Sequence, residues 1–133
     1  MQRVQAFWQG QVMAEYASAA VTAEFAHWLL QLGAPPDLIR QALCIAQDEV
    51  DHADVCYAVA EEAGSTGAIA NDHFSLRFPQ IHADLRKNLC AALLDFYCLG
   101  ETAAVPLFAA MRKHTGQASA LFKTNRVTPA LVG

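Results

Sequence analysis

Apolar residues recur with a helical period in three long stretches of this 133-residue chain. From Gln11 to Leu32, the residues Val21, Phe25, Trp28, Leu29 and Leu32 follow one another in helical spacing and form a broad apolar face. Gly33 and the pair Pro35-Pro36 then predict a stop, because glycine reaches the left-handed conformation that closes a helix and proline cannot continue one. A second helix is expected from the prolines to Glu62, with Asp37 placed at its positively polarised start and Gly64-Ser65-Thr66-Gly67 at its end. A third is expected from His82 to Lys113. Pro106, which has no amide hydrogen, should kink or break it. The segment from Gly67 to Pro79 reads as a long connection, and His73 and His82, with no periodic context, read as surface histidines. The pattern predicts an all-α fold: one helical domain over residues 1–133, with three main helices in 10–113 and an irregular or short helical tail in 114–133.

Charged residues interrupt these stripes at specific places. On the second helix the core-facing series is Leu38, Ala42, Ile45, Glu49, His52, Cys56 and Val59, so a carboxylate and an imidazole stand where every other residue is apolar. Burying an unpartnered carboxylate is prohibitively costly, and the usual compensations are a shifted pKa, an ion pair or a metal ion. Positions three apart on a helix lie on the same side, so Glu49 and His52 can grip one metal. The alternative is a solvent-facing Glu-His pair on a helix whose buried face is turned by one residue. The third stripe, Leu89, Leu93, Tyr97, Glu101, Ala104, Phe108 and Met111, repeats the arrangement with a single acid. Glu24 sits at the edge of the first apolar face beside Ala17 and Ala20. A short turn makes the first two helices antiparallel neighbours. Counted from that turn, Glu24 and Glu49 are expected at similar depth, which would gather Glu24, Glu49, His52 and Glu101 into one constellation. Tyr97, one turn before Glu101, is read as a core tyrosine that could also hydrogen-bond a ligand or relay an electron.

Composition narrows the classes. The net charge is −4, and the nine basic residues are scattered, which argues against nucleic acid and against a polybasic membrane anchor. No segment is expected to approach the apolar length that spans a bilayer. Gln2, Gln5, Gln9, Gln11 and Glu15 break any signal-peptide core at the start of the chain. Cys44, Cys56, Cys90 and Cys98 lack zinc or iron–sulfur spacing and suit free thiols in a reducing compartment. A cytoplasmic protein is the expectation.

The motifs around Glu24, the turn Gly33-Ala34-Pro35-Pro36-Asp37-Leu38, the segment from Ala46 to Ala53 around Glu49 and His52, and Cys98 to Ala104 around Glu101 together carry a likeness over roughly residues 10 to 105. In this combination the chain resembles the ferritin-like superfamily of di-iron carboxylate proteins, and within it the bacterial ferritin-like domain proteins. That family draws one Glu from each of two helices and an ExxH pair from each of two others. The resemblance implies a metal centre of two Fe ions or Mn/Fe. Glu24 would be a terminal ligand, Glu49 a bridging ligand, His52 a nitrogen ligand, and Glu101 the acid of the third helix. Asp48 would orient a ligand histidine through its free ring nitrogen. His27, in Glu24-Phe25-Ala26-His27, is a candidate extra ligand. The implied activity is an oxidase or oxygenase that activates dioxygen; the alternatives are a ferroxidase with Fe(II) as substrate and a metal-free helical assembly module. The fourth helix with its own ExxH is missing. Either the chain is a piece of a longer protein, or a second copy completes the bundle as a homodimer, or the site holds one metal or none.

Overall fold

A computed structural model describes residues 2–66 and 77–114; at 101, 108 and 111–114 only the backbone is described. The chain is all-α. Helix α1 spans Gln2–Gln31 and α2 spans Pro36–Glu62; α3, Leu85–Ala92, runs on through π-helical turns, Leu93–Gly100, into α4, Glu101–His114. Two compact units divide it, Met1–Ala92 and Leu93–Gly133.

In the first unit α1 and α2 form a helical hairpin. Gly33 takes φ +67°, and the amide of Ala34 donates to the carbonyl of Leu29 at 3.0 Å, so α1 closes with the glycine-dependent cap expected from sequence. Pro36 opens α2, where a missing N–H costs nothing, and Asp37 pairs with Arg40 in the first turn. At the far end Gly64, at φ +89°, lets the amide of Ser65 reach the carbonyl of Ala60 at 2.9 Å.

Helix α1 begins nine residues before the expected Gln11. The reason is in the polar residues of that segment. Gln5 donates to the carbonyl of Ala63 at 2.8 Å and Gln9 to the hydroxyl of Ser65 at 2.6 Å, so these side chains satisfy the C-terminal end of α2. Trp8 packs on the same end, against a core cluster of Val12, Ala53 and Cys56 that Tyr16 and Tyr57 also cover. The interface is built from small residues. Ala19, Ala26, Ala42, Ala53 and Ala60 are all buried, which brings the two backbones close and leaves Leu30, Leu38 and Leu43 exposed on other faces.

Helix α3 lies against α1. Asp84 caps it by accepting from the amide of Arg86 at 2.9 Å. The buried Asn88 clamps the backbone of His82, accepting from its N–H at 2.9 Å and donating to its carbonyl at 2.8 Å. The His82 side chain is exposed, as expected; His73 lies outside the described residues.

In the second unit Pro106 does not break the helix: α4 passes through it, with the proline exposed to solvent. The π-helical turns just before it take in one more residue per turn than an α-helix, so the stripe drawn through Leu93 and Tyr97 drifts out of phase. Leu93, Leu94, Leu99, Val105 and Leu107 are exposed. Residues Leu85–Leu107 are long and apolar enough to cross a membrane by length and composition, contrary to the expectation that no segment comes near; a helix of a soluble bundle meets the same criterion.

Candidate metal centre

Glu49 and His52 stand on the face of α2 that meets α1. Glu49 is buried, and the His52 imidazole is 35% exposed. The ring Nδ1 lies 3.2 Å from Glu49 Oε2, and 3.6 Å from Oε2 of Glu15 on α1. One donor atom from each of Glu15, Glu49 and His52 falls within 4.8 Å of the others. Donors around a single first-row ion at about 2.1 Å stand roughly 3.0–3.4 Å apart. The triad is thus close to the spacing of one coordination sphere, and could hold a metal.

Electrostatics show how the cluster is neutralised by its own residues. Burial works to raise the Glu49 carboxyl, but hydrogen bonding by His52, Glu15 and Ser18, with the positive imidazole, outweighs it and holds the group below its ordinary value. His52 is pushed up to about 10, first by Glu15 and then by Glu49, against the opposing effect of burial. The imidazolium is the cation that the two acids face. One turn further along α2, burial and the Glu15 charge push the Cys56 thiol up to about 11.

No family model, curated protein or solved structure matches the chain. The site therefore has to be judged on its own donors.

The expected constellation is only partly assembled. Glu49 and His52 come together as their spacing on α2 requires. Glu24 is not beside them: its Oε2 accepts from the amide of Phe78 at 2.7 Å, and the Phe78 ring lies 5.6 Å from that of Trp28. Glu24 stands nine residues from Glu15, about 14 Å along the helix axis. The equal-depth expectation fails because packing, not distance from the turn, sets the register: with Gln5 on Ala63 and Glu15 on His52, Glu49 falls opposite Ser18. His27 is exposed, with Nε2 3.0 Å from the Gln31 side-chain nitrogen. Together with Glu24, Trp28, Arg77 and Leu85 it lines an open cleft of about 640 Å³. Asp48 is exposed, while Nδ1 of His52 faces Glu49 and Glu15. Tyr97, its ring 5.1 Å from Phe96, belongs to the second unit, as does Glu101, whose side chain lies outside the described residues.

The residue that sequence reasoning missed is Glu15. Its signal was present: the buried series Phe25, Thr22, Ala19 and Val12 continues the α1 stripe toward the N-terminus, and Glu15 falls within it, an acid on an apolar stripe like Glu49. Among the described residues the triad supplies two carboxylates and one imidazole that could hold a metal ion, where the dinuclear set of the ferritin-like proteins draws on four carboxylates and two histidines.

Proposed function

We propose that this chain is a ferritin-like, non-haem metalloprotein binding Fe or Mn through Glu15, Glu49 and His52, and that it acts as an oxidase or oxygenase on dioxygen. The observation that carries the reading is a buried carboxylate, a second carboxylate and an imidazole converging from two helices. Mixed oxygen and nitrogen donors of this kind suit Fe, Mn or Zn more than a soft-metal site. A bound Fe or Mn ion would pass electrons from an organic reductant to dioxygen. The chain's own residues would do the rest: Glu49 gives a buried anionic oxygen beside the His52 imidazole, and Val12, Ala53 and Cys56 keep water from the core side. Free thiols at all four cysteines suit a reducing, cytoplasmic setting. The exposed Leu93, Leu94, Leu99, Val105 and Leu107 support a homodimer.

Two observations favour other readings. His52 is part-exposed, so an ion can exchange with solvent, which favours a ferroxidase that handles Fe(II) as substrate. The imidazolium already balances the carboxylates, which favours a metal-free helical module. Elemental analysis after anaerobic Fe(II) loading and desalting, followed by dioxygen uptake with and without an organic reductant, separates the three. Retained iron and reductant-dependent uptake support the oxidase; uptake with Fe(II) alone supports the ferroxidase. No retained metal would sink both.

A further inference from the structure

We infer that the unit Met1–Ala92 carries a mononuclear site for one divalent first-row ion, held by Glu15, Glu49 and His52, and not one half of a dinuclear centre. The inference rests on the metal-binding reading above and narrows it.

Three observations carry it. First, an ExxH pair on α1 would need a histidine three residues after Glu15, and Ser18 stands there instead. At this level of the hairpin α1 thus brings the Glu15 oxygen and no nitrogen, and the one imidazole is His52 of α2. Second, Glu24, the acid that the ferritin-like pattern requires from α1, is engaged by the Phe78 amide at the other part of the helix. It serves the fold at that point. Third, paired metal ions sit about 3.5–4 Å apart and need donors on both outer sides. One turn from Glu15 and from His52 stand Val12 and Cys56, packed with Ala53 in a buried cluster that offers no carboxylate and no imidazole. Solvent reaches the triad from the part-exposed edge of His52 and Glu15, whose side chains are 35% and 19% exposed, so water would complete the sphere of a single ion from that side.

The test is Mn(II) titration of the full chain, read by native mass spectrometry and by electron paramagnetic resonance. Saturation at one Mn(II) per chain, with the hyperfine pattern of an isolated ion, is the expected result. Glu15→Gln and His52→Ala should each weaken Mn(II) binding at least about tenfold, as loss of a direct ligand must exceed the loss of an outer partner. Glu24→Gln should leave it within about twofold, because its carboxylate is tied to the Phe78 amide about 14 Å along α1 from Glu15, and a mononuclear site in Met1–Ala92 requires the same of Glu101→Gln. Two ions per chain, an exchange-coupled signal in a chain or a dimer, or a loss in Glu24→Gln or Glu101→Gln equal to that in Glu15→Gln would overturn the mononuclear site and leave metal binding standing. No Mn(II) bound at all would overturn both. The wild-type stoichiometry and spectrum decide the matter even where a variant folds poorly.

Discussion

Glu15 and Glu24 stand on one helix, nine residues apart, and meet different surroundings. Glu15 faces an imidazole and a second carboxylate from α2; Glu24 accepts from the peptide N–H of Phe78. The difference teaches what an acid near a buried face is for. A carboxylate that accepts from a backbone amide is a structural tie, holding Phe78 onto α1. A carboxylate that shares an imidazolium with another belongs to a cluster whose donors could hold a metal ion.

The sharpest way to separate the two regions is to dismantle the one around Glu24. Trp28 is 3% exposed and stacks beside Phe78. Trp28→Ala should cost about 3 kcal/mol in urea unfolding, the low end for a large aromatic because the cleft beside it is already open. Mn(II) affinity of the folded fraction should stay unchanged. A parallel loss of affinity would mean that the two regions are one cooperative site.

On the Glu15 side, the Cys56 thiol is a reporter. Pushed up to about 11 by burial and by the Glu15 charge, it is ionised in roughly one molecule in a thousand at pH 8. Iodoacetamide should therefore label it at least about tenfold more slowly than the exposed Cys44. Glu15→Gln should speed Cys56 labelling, and Glu24→Gln should not. Peptide mass spectrometry of timed quenches gives both rates. Equal rates at Cys56 in the two variants would place Glu15 too far away to matter.

A smaller effect is expected from Glu24 itself. Glu24→Ala removes one part-buried hydrogen bond from a backbone amide to a carboxylate and should cost about 1 kcal/mol of stability. Exchange protection of the Phe78 amide should fall in the same variant. Unchanged protection would show that the tie is not made in solution.

How far this arrangement is legible from sequence depends on which contact sets it. Both ends of α2 were readable, because Pro36 and Gly64 act through their own backbone chemistry. Glu49 and His52 were readable because three residues on one helix fix their own geometry. The partner acid was not, since the choice between Glu15 and Glu24 depends on the register of two helices. That register comes from Gln5, Gln9 and Trp8 gripping the end of α2, in a segment that lies before the apolar stripe from which the start of the helix was read. Pro106 does not end α4 for a related reason: the carbonyl that a proline frees on an exposed stretch can be satisfied by water.

The smallest effect expected is the pH dependence of the metal-free protein, and it bears on Glu15 and not on Glu24. His52 rises from 6.5 to about 10 on folding, so its contribution is fully present below pH 6.5 and is lost as pH climbs through 10. Glu49 is lowered from 4.5, so its contribution is present above pH 4.5 and is lost as pH falls through its lower folded value. The chelated protein should therefore melt highest between pH 4.5 and 6.5 and decline on the alkaline side. The decline should be shallow, because a third of the imidazole is open to solvent and screened. Cys56, raised to about 11, and Tyr57, raised by Glu61, also titrate in alkali, so the comparison with His52→Gln isolates the imidazole. That variant should flatten the limb between pH 6.5 and 10, whereas Glu24→Gln should leave it intact. An identical alkaline limb in His52→Gln would mean that the triad is not an ion pair in solution, and the contrast between the two acids of α1 would then reduce to burial alone.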